Sequence, residues 1–239
     1  MSNASEPIFT GPVYLSGPMF SVADQWQQAG IATALENVGI QTYLPQRDGI
    51  EVGSLMARIN QESLPAVEAL MQFVLQIVFS MDEFQLLSRC KALVLNMDGR
   101  VPDEGSVSET AAAFAAGQPI VIYKTTPISM LGGLDNPMIS GLAMNWAKVN
   151  DVAAIPNAVI SAVQAMGNLG GPTVQFGKQV QAVLALGAAV WDAIDQIHTL
   201  LQNPNINTII AGFQAMQQQW QQLINAAFPG APPLPLPTP

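Results

Sequence analysis

One cysteine and one histidine stand in a chain of 239 residues, and this scarcity closes several routes at once. Cys90 is the only cysteine, so neither a disulfide framework nor a thiolate metal site can form within one chain. With His198 the sole imidazole, the residues also argue against a protein-built zinc site, and no metal or organic cofactor is expected. Basic residues are scarce too. Eight Lys and Arg against seventeen Asp and Glu give a net charge of -9, which leaves no basic footprint for a phosphate backbone and argues against a nucleic-acid polymer as partner. The uninterrupted apolar runs fall short of the roughly 18 to 20 residues that a spanning helix needs. The longest are Ala69 to Met81, broken by Gln72 and Gln76, and Ala182 to Trp191, followed by Asp192 and Asp195. Both read as core helices, and no membrane partner is expected. The start, Met-Ser-Asn-Ala-Ser-Glu-Pro, has no basic n-region and no apolar core, so a cytoplasmic location is the expectation. There is no dinucleotide-type glycine fingerprint and no P-loop.

What is plentiful is apolar surface, 49% of the residues by type, enough for a folded core. Pro12 to Ser16, Gln41 to Leu44, Lys91 to Met97 and Pro119 to Tyr123 are short apolar runs bounded by Gly, Pro or charged residues, and they predict strands. Helical spacing predicts helices over Val22 to Val38, roughly Ser63 to Ser88, and Val107 to Ala116. Alternating strands and helices predict an α/β fold: a doubly wound, flavodoxin-like or Rossmann-like parallel sheet with helices on both faces. In such sheets ligands bind beyond the carboxyl ends of the strands. Gly17 and Pro18, Gln46 to Asp48, Asp98 to Glu109 and Lys124 onward all follow strand ends, so they should line one edge.

The pattern changes after about Asn150. Asp151 to Met166 predicts a helix with Pro156 in its first turn, and Gly167 to Pro172 is a breaker cluster. Val180, Val183, Leu184, Trp191, Ile194, Ile197 and Leu201 then recur at helical spacing. So do Ile206, Ile209, Ile210, Phe213, Met216, Trp220, Leu223 and Ile224, with Asn203-Pro204-Asn205 between the two sets. The expected organisation is a disordered 1–10, an α/β domain over 11–166, a C-terminal helical hairpin extension over 173–228, and a proline-rich tail over 229–239.

The stretch from Asp98 to Glu109 places four carboxylates in twelve residues of a chain that is only 10% charged. Ser106-Val107-Ser108-Glu109 has the spacing of a capping box, in which Ser106 and Glu109 satisfy each other's backbone donors. The same place suits a nucleophile, because the positive end of a helix favours an ionised carboxylate. Asp103 lies six residues earlier. A second carboxylate near an ionised one has its own ionisation opposed and becomes a proton donor. One carboxylate attacking while another exchanges protons is the arrangement of retaining glycosidic chemistry. His198, in an apolar stripe, reads as a core or interface residue rather than a base for a serine nucleophile.

At these residues the sequence resembles the nucleoside 2-deoxyribosyltransferase family. The resemblance covers roughly Pro12 to Trp146 in five ordered pieces: Val13-Tyr14-Leu15-Ser16-Gly17-Pro18-Met19-Phe20, Leu44-Pro45-Gln46-Arg47-Asp48-Gly49, Asp82 before Cys90-Lys91-Ala92-Leu93-Val94, the acidic stretch, and Gly133-Leu134-Asp135-Asn136-Pro137-Met138. It implies that Glu109 is the nucleophile attacking the anomeric carbon and that Asp103 grips the sugar and assists proton transfer. Tyr14 would hydrogen-bond and orient the nucleophile. Asp82 would face the base as a proton donor to the leaving ring nitrogen, with Gln46 and Asp48 also contacting the base and Gly17 in the first loop. Asn136 and Met138 would enter the sugar pocket of a neighbouring subunit, so the implied partners are a deoxyribonucleoside, a free nucleobase and further copies of the chain. Two departures stand out: Glu109-Thr110-Ala111 where members commonly read Glu-Leu-Gly, and Lys91 where an aspartate is common.

Three functions remain open on the sequence: a nucleoside deoxyribosyltransferase acting through a glutamyl ester, a hydrolase of nucleosides or nucleoside 5'-monophosphates on the same scaffold, and a non-catalytic nucleoside-sensing module. The first loop, Gly17-Pro18-Met19-Phe20-Ser21, has no nearby Lys or Arg, which favours a nucleoside over a monophosphate.

Overall fold

The computed structural model describes residues 11–50, 53, 55, 66–98, 102–129, 134–143, 145–168 and 174–230. Gly99-Arg100-Val101 of the acidic stretch, Gly133, the expected helix start at Ser63, most of the breaker cluster and Ala231 to Pro239 of the tail lie outside the described residues, as do residues 1–10. The chain divides into two compact units, Met1–Gln46 with Leu86–Gln175, and Arg47–Gln85 with Phe176–Pro239.

The first unit is built on five parallel strands, β1 (Val13–Ser16), β2 (Thr42–Tyr43), β3 (Ala92–Asn96), β4 (Ile120–Tyr123) and β5 (Lys148–Val149), in the order β2-β1-β3-β4-β5. This is the doubly wound α/β arrangement, and its order reverses between β1 and β3, where a ligand crevice belongs. The four expected strands form within their apolar runs. Tyr14 stands opposite both Tyr43 and Leu93, and the Tyr14 and Tyr43 rings are 5.4 Å apart.

Alternation along each strand sends residues to opposite faces. Val13, Leu15, Val94, Val121 and Tyr123 share one core with Ile31, Ala32 and Leu35 of α1 (Val22–Glu36) and Ile155 and Val159 of α6 (Ile155–Asn168). Tyr14 and Ser16 therefore face the other side, where α4 (Glu104–Ala115) lies against β1, β3 and β4. The start of α1 is fixed by a capping box between Ser21 and Asp24: Ser21 N donates to Asp24 Oδ2 at 2.9 Å and Asp24 N to Ser21 Oγ at 3.1 Å. Beyond its end Gly39 adopts φ 83°, the left-handed region that glycine enters without steric cost. The short helices α2 (Pro45–Asp48) and α5 (Pro137–Ser140) follow β2 and precede β5.

The second unit is helical: α3 (Ala66–Phe84), α7 (Lys178–Asp192), α8 (Ile194–Leu201) and α9 (Ile206–Ala227). Leu70, Phe73, Val74, Ile77 and Met81 recur at helical spacing on α3 and meet Val183, Leu186 and Val190 of α7 and Ile209, Phe213, Met216 and Trp220 of α9 in one core. A side chain at Gly187 would put its Cβ 2.0 Å from the Ser80 carbonyl oxygen and 2.6 Å from Phe84 Cβ, so α7 lies backbone-to-backbone against α3. Leu70–Arg89 is long and apolar enough to cross a membrane, but half of it is buried within the protein. The spacing of Val180 to Leu201 predicts one helix; the structure bends it by 61° at Ala193, whose N–H bonds the Val190 carbonyl three residues back.

Candidate active site

Glu109 is held from two sides by β1. Tyr14 Oη donates to Glu109 Oε1 at 2.8 Å and Ser16 Oγ donates to Glu109 Oε2 at 2.5 Å. Both donors are almost wholly buried, with Tyr14 0% and Ser16 1% exposed, while Glu109 is half-buried. Two hydroxyl donors aimed at the two oxygens of one carboxylate fix its plane and match an ionised acceptor. The Ser16 hydroxyl carries one hydrogen but lies near a second acceptor, the Ser106 carbonyl, at 3.3 Å.

The helix bearing Glu109 starts one turn earlier than the capping-box reading predicts. Asp103 is the N-cap, and its Oδ2 accepts from both the amide and the hydroxyl of Ser106, each at 2.7 Å. Ser106 is thus a first-turn residue and Glu109 a second-turn residue. The box between Ser106 and Glu109 does not form, because the Ser106 amide is already satisfied by Asp103 and Glu109 turns to β1 instead. Since the helix dipole fades beyond the first turn, the hydroxyls of Tyr14 and Ser16, rather than the helix end, orient this carboxylate. Asp103 and Glu109 are linked through Ser106, which donates to the first and offers its carbonyl to the Ser16 hydroxyl that holds the second. Asp103 Oδ1 accepts no hydrogen bond among the described residues. Thr110 sends its hydroxyl to the same Ser106 carbonyl at 2.7 Å.

Asp98 is more than the turn or surface residue that its place suggests. It accepts from Thr125 N at 2.7 Å, Thr125 Oγ1 at 2.5 Å, Thr126 N at 2.9 Å and Gln27 Nε2 at 2.7 Å. Asn96 Nδ2 completes the knot by donating to Gln27 Oε1 at 3.0 Å, and Asn96 Oδ1 accepts from Asp98 N at 3.1 Å. The carboxyl ends of β3 and β4 are thereby tied to α1. Burial alone would push the Asp98 carboxyl up; the Thr125 hydroxyl, the Thr126 and Thr125 amides and Gln27 outweigh it and hold the carboxyl below its ordinary range. Gly17 lies at the neighbouring strand end. A Cβ there would come within 2.1 Å of Gln28 Nε2 and 2.7 Å of Asn96 Cβ, so packing beneath the crevice demands glycine.

Gln46 Nε2 donates to the Gln25 carbonyl at 3.2 Å, which fixes the amide's orientation and leaves the buried Oε1 with no hydrogen-bond partner among the described residues. Asn136 is exposed and caps α5, its Oδ1 accepting from Met138 N at 2.9 Å. Met138 is 78% exposed, as are Leu134 at 71% and Trp146 at 61%. The segment is anchored by Asp135, which pairs with Lys124 and, at 2.6 Å, with Lys148. Asp48 and Asp82 belong to the second unit. There Asp48 is gripped by Arg47 through both oxygens, Nε to Oδ1 at 2.8 Å and Nη2 to Oδ2 at 2.9 Å, and Asp82 is half-buried on α3. Among the described residues no group of three or more His, Cys, Asp or Glu gathers where it could hold a metal ion.

Ser16 and the Asp98 knot are features of the candidate site that sequence reasoning passed over. The signal for Ser16 was present: it stands two residues from Tyr14 on a strand, hence on the same face. Nothing local announces that Gln27, Asn96 and Thr125 converge on Asp98.

The sequence model described as nucleoside 2-deoxyribosyltransferase matches residues 13–157. No curated protein matches the sequence. Among solved structures, the crystal structure of a conserved protein from Enterococcus faecalis V583 matches at 18% identity and a TM-score of 0.41, covering 66% of this chain and 99% of the other.

Proposed function

Because the chain belongs to the nucleoside 2-deoxyribosyltransferase family, we propose that it exchanges the nucleobase of 2'-deoxyribonucleosides through a covalent 2-deoxyribosyl ester on Glu109. The observation that carries this reading is the Glu109 carboxylate, fixed by Tyr14 and Ser16 at the carboxyl end of β1, beside the reversal of strand order. A Glu109 oxygen attacks the anomeric carbon as the bond to the base nitrogen breaks, and the departing nitrogen takes a proton for which Asp82 is the donor by family position. A second base then attacks the same carbon from the face opposite the ester and returns its ring N–H proton to Asp82, and Glu109 leaves as the free carboxylate. Two displacements return the original configuration. Ser16 suits such a cycle: if Oε2 becomes the ester oxygen, the hydroxyl has the Ser106 carbonyl as its alternative acceptor.

The remaining roles follow family position. Asp103 grips the sugar through the oxygen that Ser106 leaves open. Asp82, Asp48 and Gln46 recognise the base, and the Oε1 of Gln46, which meets no donor among the described residues, suits an amino group on it. Asn136 and Met138 serve a neighbouring subunit, a reading supported by the exposure of Leu134, Met138 and Trp146 around them. A nucleoside is favoured over its 5'-monophosphate because Asp24 already occupies the amino end of α1, where a phosphate would otherwise be drawn.

The reading is tested by incubating deoxyinosine with adenine. Deoxyadenosine and hypoxanthine are expected; free deoxyribose without deoxyadenosine would overturn transfer in favour of hydrolysis. A second expectation concerns Tyr14→Phe. Losing one hydrogen bond to a charged acceptor costs about 1.5 to 3 kcal/mol, so kcat for exchange should fall roughly 10- to 100-fold, with the fold intact by circular dichroism.

A further inference from the structure

The residues that bear Asp48 and Asp82 fold with helices that lie outside the family-matched span of 13–157. Arg47 and Asp48 close α2, and the chain then runs through Gly49 into Ile50 and Leu55, which are 5% and 1% exposed within the core that α7, α8 and α9 supply. His198 of α8 meets this segment directly: its Nε2 lies 2.8 Å from the Gly49 carbonyl oxygen. A carbonyl oxygen can only accept, so Nε2 carries the hydrogen. Gly49 is buried, and its neighbour Asp48 is held in a two-point grip by Arg47. Anchoring the Gly49 carbonyl therefore sets the backbone from which that carboxylate projects. Ile197, next to His198, is 0% exposed in the same core, so the imidazole is presented from a rigid helix rather than a loose one.

We infer that His198 is a positioning residue for nucleobase recognition: through the Gly49 carbonyl it fixes the Arg47-Asp48 turn, and so sets how tightly and how selectively the base is bound. The inference rests on the reading above that Asp48 contacts the base, and it gives the C-terminal helices a part in specificity beyond packing.

The test compares the full-length chain with His198→Ala and His198→Gln. The glutamine amide nitrogen can reproduce the Nε2 donor. With deoxyinosine saturating and adenine or cytosine as acceptor, His198→Ala is expected to raise the acceptor KM about fivefold to tenfold, the value of one hydrogen bond. It should leave kcat within about twofold, alter the adenine-to-cytosine preference, and be rescued by His198→Gln. Unchanged KM and preference overturn the inference while leaving the reaction assigned, as does a fall in kcat alone. If the parent chain exchanges no bases, the reaction assignment fails, and calorimetric titration with free adenine and cytosine decides the inference. Weaker binding by His198→Ala sustains it; equal binding, or none by the parent, overturns it.

Discussion

Glu109→Gln is expected to lower base exchange by at least about 1,000-fold, because the side-chain amide is far too weak a nucleophile to form the sugar ester. The variant isolates chemistry from folding. Glutamine keeps an Oε1 acceptor for Tyr14 Oη, whose residue is 0% exposed, so no buried donor loses its partner. The Ser16 hydroxyl, facing a nitrogen in place of Oε2, retains the Ser106 carbonyl at 3.3 Å. Glu109→Ala would confound the result, since it removes the bond from the buried Tyr14 hydroxyl to Glu109, at a cost of about 1 to 3 kcal/mol. Chromatography of deoxyinosine and adenine mixtures gives the rate, and intact-protein mass spectrometry gives the ester: present on the parent after quenching, absent on Glu109→Gln. Exchange retained by the variant would show that another group carries the sugar.

Asp135→Asn should produce the largest loss of stability, about 3 kcal/mol, seen as a fall of roughly 6 to 12 °C in thermal midpoint. Asp135 lies between Lys124 and Lys148, whose side chains are 8% and 29% exposed. Removing the negative charge leaves two ammonium groups facing one another. The figure sits at the low end for a buried pair, because Lys148 can turn to water. Lys124 also donates to the Ile128 carbonyl at 2.7 Å, so the loop after β4 should loosen as well. Acid tests the same contact. Burial alone would push the Asp135 carboxyl up, but hydrogen bonds and charge from Lys124 and Lys148 hold it below its ordinary range. A carboxyl depressed on folding contributes stability that is fully present above its unfolded pKa of about 3.9 and is lost as pH falls through the folded value. Urea titrations should therefore show the gap between parent and Asp135→Asn at neutral pH and its narrowing below about pH 4; a gap independent of pH would sink this account.

The sheet was legible in the sequence because its three central strands, β1, β3 and β4, are short apolar runs punctuated by Gly, Pro or charge, the signature of strands buried on both faces, with the edge strand β2 in a similar shorter run. β5 was not, since Lys148 and Val149 make no run at all. The helix carrying Glu109 was legible, but its first residue was not. Asp103-x-x-Ser106 and Ser106-x-x-Glu109 are nested capping patterns, and the choice between them depends on Tyr14 and Ser16, which lie far away in the chain and draw Glu109 off the backbone. The bend at Ala193 has no Gly or Pro to mark it. Nor does spacing reveal that His198 would find Gly49, because an apolar stripe says that a face is covered and not by what. The family resemblance named candidate residues along the chain, yet the contacts around them, Ser16 to Glu109 and the knot around Asp98, had to come from three dimensions.

The Asp98 knot bears on affinity as well as on architecture. A rim that a ligand must first set in order charges its conformational entropy against binding, typically about 0.5 to 1.5 kcal/mol for each flexible side chain brought to rest. Here side-chain hydrogen bonds lock Gln27, Asn96, Asp98 and Thr125 to one another. That ordering is completed when the chain folds, so under the proposed function a small substrate bound beyond the ends of β1 and β3 would meet a preorganised wall and keep its interaction energy for the reacting bond.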